Sequence, residues 1–243
     1  MWKLIVLLFL SFPCLAAGTL KIATEANYPP FEYLDESGQF QGLDIDIANA
    51  LCQQMKVQCE FLHKGFDRLL PGLQFNNFDA VIAALNPTPA RRKLVAFSDL
   101  YYDSGAVFVA RMNRYQSHHD FSGQSIGVQN GSVHLRYLID KASMERVLVV
   151  PYHSYLTAFV DLQNDNVDLV LVDYAVAKVW LAQPDNKEFA IVGETLIDPH
   201  YFSEGYAIAV NKNNSALLEQ LNQALQQIKL SGEYERIISR YLD

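Results

Sequence analysis

Strand-like and helix-like segments alternate along this chain in two separate sets, and that order restricts its fold more than any other feature. The first set reads strand 20–24, a turn at Asp35-Glu36-Ser37-Gly38, a helix opening after Gly42, strand 58–63, helix 66–75 and strand 80–84. In the first helix Ile45, Ala48, Leu51 and Met55 fall on one apolar stripe, with Asp44 as the expected N-cap. A second set begins near Val107: strand 125–129, helix 133–141, strand 146–151, helix 155–164, strand 169–172 and helix 174–181. Strand 206–210 and helices 216–228 and 234–241 complete the chain. Two such sets predict an α/β protein of two lobes with a cleft between them. The 243 residues, half of them apolar, suffice for two modest cores.

The first residues specify a compartment. Lys3 precedes an apolar run, 4–12, broken only by Ser11, and the small residues Ala16, Ala17 and Gly18 follow. This reads as a secretory signal over residues 1–17, cut after Ala16 or Ala17, because the run is far shorter than the ~20 apolar residues of a membrane span. Cys14 raises a lipidated alternative, to which Pro13 directly before it is a poor fit. No later segment is long and uncharged enough to span a bilayer, so a soluble periplasmic product is expected. The full chain's formal charge of −8 at pH 7 opposes nucleic-acid binding, which needs Lys and Arg against phosphate. The dense basic run Arg91-Arg92-Lys93 is too short to make a groove. In an oxidising compartment the remaining pair, Cys52 and Cys59, reads as a short-range disulfide, contributing roughly 2–3 kcal/mol by loop entropy.

Where strand 20–24 ends, the chain continues as Glu25-Ala26-Asn27-Tyr28-Pro29-Pro30-Phe31. Ligands of open α/β sheets bind beyond the carboxyl ends of strands, and this segment puts an acid and an aromatic ring there. The two prolines stiffen it and bar a helix at Tyr28. A rigid aromatic platform beside an acid suits a flat or cationic ligand.

Several ordered motifs then converge on one family. The segments 23–32, Gly42-Leu43-Asp44-Ile45-Asp46, Asn86-Pro87-Thr88-Pro89-Ala90-Arg91, Gly127-Val128-Gln129-Asn130-Gly131-Ser132 and the strand end at Asp173 resemble, in order, those of periplasmic polar-amino-acid-binding proteins of ABC importers. Within that family the chain most resembles the arginine-binding branch, through the run Gln129 to His134 and Asp198-Pro199-His200-Tyr201-Phe202. The Cys52/Cys59 spacing is similar to the disulfide of the basic-amino-acid binders. The resemblance covers nearly all of the mature chain and implies a type II periplasmic binding fold. Residues 18–104 and 205–243 would form one lobe, with 105–204 inserted as the other, and the chain would cross near 103–108 and 204–207. It also implies a monomer without cofactor or metal, serving an inner-membrane ABC permease.

The chemistry of an α-amino acid explains the residue types the resemblance singles out. The α-carboxylate wants a planar bidentate donor, Arg91, and free N–H groups at a helix entry, Gly131-Ser132-Val133. For the α-ammonium, the resemblance offers Asp173. Tyr28 and Phe66 would sandwich the side chain, a cation over a ring gaining about 0.5–2 kcal/mol, with Glu25 at its charged tip. Ala84, Asn86 and Gln129 complete the expected set. Each has a plainer reading: Arg91 in a solvated basic run, Ser132 and Asp173 as N-caps, Phe66 as core, Glu25 as a loop acid. The chain also departs from the pattern, since the arginine-binding branch commonly has an acid where Asn86 stands, and related binders a hydroxyl or glycine where Ala84 stands. Lysine, ornithine or a neutral polar amino acid therefore stays open as a ligand.

Enzymatic readings are weaker. Ser132, His134 and Asp173 offer triad residue types, but no Gly-x-Ser-x-Gly elbow occurs and two positions apart on a helix their side chains diverge. A dehydratase on the same fold, with Glu25 or Asp173 as proton donor, is the better rival. His118-His119-Asp120 lacks convergent metal geometry. A sensor role finds no membrane span or cytoplasmic domain after Asp243.

Overall fold

The computed structural model describes residues 18–198, 200–202 and 205–242, without the side chains of 118–119 and 142–145. The expected signal segment, Cys14, and the His118-His119 side chains lie outside the described part.

Two five-stranded sheets carry the fold. The first has the spatial order Gln58–His63, Thr19–Thr24, Ala80–Val81, Tyr206–Val210, Ala96–Tyr102. Thr19–Thr24 runs parallel to both of its neighbours, and Tyr206–Val210 is antiparallel to Ala80–Val81 and Ala96–Tyr102. Because side chains alternate along a strand, each strand feeds two cores. Ile22, Ala80, Ile82 and Ile208 pack against Ile47, Leu51, Leu221 and Ile228 from the helices Leu43–Met55 and Ser215–Leu230. Ala23, Val81, Ala83 and Ala207 face Leu69 and Leu73 of the helix Phe66–Gln74. Burial on both faces is why these strands read as continuous apolar runs.

The second sheet has the order Leu148–Tyr152, Ser125–Gln129, Leu169–Asp173, Ala106–Arg111, Phe189–Leu196. Its three leading strands are parallel, and Ala106–Arg111 is antiparallel to both of its neighbours. The same alternation separates Phe108, Ile126, Leu169 and Leu171, under the helix Val133–Glu145, from Val107, Val109, Val170 and Val172, under Tyr155–Gln163 and Tyr174–Leu181. A small sheet of Asn27–Tyr28, Glu32–Leu34 and Phe40–Gln41 joins the first lobe. The chain leaves the first sheet after Tyr102 to enter the second at Ala106, and leaves the second after Leu196 to return to the first at Tyr206. Cys52 and Cys59 are bonded, tying Leu43–Met55 to the edge strand Gln58–His63. No helix among the described residues is long and apolar enough to cross a membrane.

Asp44 is not the N-cap expected. Gly42 is, at φ 120°, where a Cβ would lie 2.2 Å from the Phe31 carbonyl oxygen. Asp44 is already helical, fully buried, and accepts hydrogen bonds from the Ala84 N–H at 2.8 Å and the Tyr101 hydroxyl at 2.9 Å. Burial raises its pKa to about 7, and burial followed by the Asp44 charge pushes buried Glu32 well above the carboxylate range. The two acids therefore retain a proton that the unfolded chain releases near pH 4. The folded state thus holds more protons than the unfolded chain above about pH 4, so stability falls as pH rises, the share of Asp44 being lost between about pH 4 and 7. In thermal melts of the ligand-free protein, Asp44→Asn should flatten the decline between pH 5 and 8 by roughly 3–8 °C. Identical slopes in both proteins would mean that Asp44 is ionised when folded.

Candidate functional site

The carboxyl ends of the parallel strands in both sheets meet, and the expected residues stand on either side of that seam. From the first sheet, Thr19–Thr24 leads straight into Glu25, which is almost wholly buried, and Tyr28 follows in the small sheet. The neighbouring strand stops at Val81 instead of continuing to Ala84, because Ala84 takes φ 43° and turns its N–H onto Asp44. That bend delivers Asn86 and the short helix Pro89–Arg92, whose first turn is capped by Thr88. Arg91 is buried on it. Its guanidinium donates to the Asn86 carbonyl at 2.9 Å and lies 5.5 Å from the Phe66 ring centre. Burial alone lowers its pKa, to about 10, so it stays charged at neutral pH, and no acid among the described residues pairs with it.

From the second sheet, Ser125–Gln129 ends in Gln129, and Gly131, at φ 76°, turns the chain into the helix Val133–Glu145. Ser132 caps that helix, accepting from the Leu135 N–H at 3.0 Å and donating to the Gln129 carbonyl. Asp173 ends its strand at the N-cap position of Tyr174–Leu181, yet its side chain makes no capping hydrogen bond. The carboxylate turns into the seam instead.

Among the described residues three hydrogen bonds close the seam. The Tyr28 hydroxyl donates to Asp173, Gln129 Nε2 donates to Glu25 at 2.6 Å, and Arg91 Nη2 donates to the Gly131 carbonyl at 3.1 Å. Burial raises the Glu25 pKa to about 7 against the opposing pull of the Gln129 amide, with the Asp67 charge adding to the rise. Tyr28, Phe66, Ala84, Asn86, Arg91, Gln129, Ser132, Val133 and Asp173 line one cavity of about 10 Å³, with Glu25 held beside it by Gln129. That is room for about one water, against ~300–1,000 Å³ for a typical small-molecule site. The lobes are thus closed, with Tyr28, Glu25, Arg91, Gln129 and Asp173 partnered across the seam and His134 Nε2 left without a hydrogen bond among the described residues.

Sequence reading did not single out Tyr155 or Ala83, and took His134 only as part of a motif and as a rejected triad member. All three line the cavity. Tyr28 stacks on Tyr155, 5.2 Å away between centroids at 29°, and on Phe31, while Phe66 lies under Arg91. Tyr155 opens a helix after the N-cap Ser154, and its sequence pattern says only that it is core. Among the described residues no three His, Cys, Asp or Glu side chains converge as a metal set would.

The model of the bacterial extracellular solute-binding proteins, family 3, matches residues 20–243. The chain belongs to that family. It is 42% identical over 231 residues to a protein of Escherichia coli K12 named putative ABC transporter arginine-binding protein 2, covering 95% of this chain and 93% of the relative. A Salmonella typhimurium periplasmic binding protein, described for its high arginine specificity, superposes with a TM-score of 0.90 at 41% identity, over 93% of this chain and all of that one. An ancestral arginine-binding protein solved with glutamine bound superposes at 0.85 with 38% identity, over 92% and 97%. This family member is accordingly a two-lobed α/β solute-binding protein of transport and not an enzyme.

Proposed function

We propose that this chain captures L-arginine in the periplasm and hands it to an inner-membrane ABC permease, as a monomer and without a cofactor. One observation carries the reading: Arg91, a buried cation with no acid partner among the described residues, and the buried acid Asp173 line a single cavity, and a second buried acid, Glu25, is held beside it by Gln129. That is the charge complement of a cationic α-amino acid. Arg91, with the N–H groups at the entry of Val133–Glu145, takes the α-carboxylate; Asp173 takes the α-ammonium; Glu25 takes the guanidinium, with Tyr28 and Phe66 along the aliphatic stem. The names of the relatives point the same way.

Under this reading residues 18–104 and 205–243 form one lobe and 105–204 the other, and a signal segment cut after Ala16 or Ala17 sends the chain to the periplasm. Each seam hydrogen bond is one that bound arginine replaces, so the lobes part to admit ligand and close on it. Contacts divided between lobes give the ligand the differential affinity that shifts this equilibrium.

Calorimetry against a panel of amino acids tests the assignment. Arginine should bind most tightly, with lysine and ornithine weaker, since Glu25 can pair bidentately with a planar guanidinium and not with an ammonium. Tighter binding of glutamine or glutamate would overturn the arginine assignment and leave amino-acid binding standing.

Glu25 makes the binding pH-dependent. Its pKa of about 7 in the closed cleft falls when a guanidinium sits against it, so arginine binding releases a proton below neutrality and affinity drops up to about tenfold per pH unit on acidification. Titrations at pH 6 in two buffers of different ionisation enthalpy should report that release, and Glu25→Gln should abolish it. Proton uptake on binding would remove Glu25 from the cationic end.

A further inference from the structure

His134 is the second residue of Val133–Glu145 and only 3% exposed, where a histidine ordinarily has both ring nitrogens partnered. Its Nδ1 lies 2.9 Å from the Tyr155 hydroxyl. Nε2 has no hydrogen-bond partner among the described residues and points to Asp173 Oδ1 at 3.4 Å, close enough for attraction but not aligned as a hydrogen bond. Tyr155 can donate to Nδ1, which leaves the proton of a neutral imidazole on Nε2, facing the carboxylate. The opposite tautomer would set a lone pair against a buried anion. Tyr155 edge-on and Phe202 at 5.4 Å hold the ring in place.

Asp173 needs such a holder. It makes no capping bond to its own helix, and its Oδ2 is engaged by the Tyr28 hydroxyl of the opposite lobe. When the lobes part, that contact is lost.

We infer that His134 is a positioning residue for Asp173: Nε2–H fixes Oδ1 from within the second lobe, leaving Oδ2 aimed into the cleft for the α-ammonium group of an incoming amino acid. This rests on the proposed reading that Asp173 receives the ammonium. It assigns the ammonium subsite a second element, so that the helix presenting backbone N–H groups to the carboxylate also orients the acid for the other end of the zwitterion.

The test compares two ligands, arginine and 5-guanidinopentanoate, which lacks only the α-amino group. His134→Asn keeps an amide near Nδ1 for Tyr155 but cannot reach Asp173; His134→Gln extends an N–H donor to the position of Nε2. By calorimetry, the ratio of arginine affinity to analogue affinity should fall about fivefold to tenfold in His134→Asn and return most of the way in His134→Gln. Asp173→Asn should lower the same ratio further. A ratio unchanged in His134→Asn, or equal losses for both ligands in His134→Asn and His134→Gln, overturns the positioning role while Asp173 keeps its own. An unchanged ratio in Asp173→Asn removes the ammonium assignment itself, and this inference with it. Thermal melts of each variant verify that the compared proteins are folded.

Discussion

Arg91→Ala should cost every amino-acid ligand about 2–5 kcal/mol, roughly 30- to 5,000-fold in affinity, the usual loss when one partner of a buried charge pair is removed. The reason lies in how Arg91 is held. Its guanidinium is desolvated, burial alone shifts its pKa, and its bonds run to the Asn86 and Gly131 carbonyls. Neutral acceptors position the cation without cancelling it. On the proposed reading a ligand carboxylate is the first anion it meets, and without Arg91 that carboxylate would be buried against the helix N–H groups alone. Calorimetry on the folded variant decides the matter. Affinity within a few-fold of wild type would reduce Arg91 to a brace between Asn86 and Gly131.

Much of the fold was legible because burial on both sheet faces writes itself into continuous apolar runs. Leu169 to Val172 reads as a strand at sight, and Tyr174–Leu181 has the bounds expected of it. Ala96–Tyr102 and Phe189–Leu196 were missed for a physical reason. Both have irregular registers, between Tyr206/Ala207 and Ala207/Ala209 on the partner of the first, and between Val192/Leu196 in the second, so their apolar residues do not keep a period of two. Asp44 was misread because an acid at a helix start usually caps it, and only the tertiary fold brings the Ala84 N–H and Tyr101 hydroxyl to its carboxylate.

The site divides the same way. Local sequence can put Glu25, Gln129 and Asp173 at strand ends, since strand ends are local features. It cannot say that Tyr28 reaches Asp173 or that Tyr155 stacks on Tyr28, because those contacts exist only when the two lobes meet. His134 carried no local signal either, as its neighbours Tyr155 and Phe202 come from distant segments. Resemblance to a family supplied residue types in order; the geometry adds which of them face one another.

The other large effect belongs to the crossing between lobes. Gly205 has φ 85°, and a Cβ there would lie 2.2 Å from the Tyr102 carbonyl oxygen and 3.3 Å from the Asp103 Cα, so the two passages of the chain touch at this point. The obstacle is backbone, which has no rotamer to change. Gly205 also accepts a hydrogen bond from Asn86 Nδ2 at 3.3 Å, linking the crossing to the cleft wall. Gly205→Ala should cost about 2–4 kcal/mol from the unfavourable φ and the overlap together, a fall in melting temperature of roughly 5–15 °C. Gly38 separates the two contributions, for it has a similar φ of 77° with nothing within 4 Å of its would-be Cβ. Gly38→Ala should thus lose only the conformational part and leave arginine affinity alone, whereas Gly205→Ala should also weaken binding by pushing Asn86 and the crossing apart. If the two variants melt within a degree or two of each other, the close approach at Gly205 relaxes freely and the crossing is looser than its geometry requires.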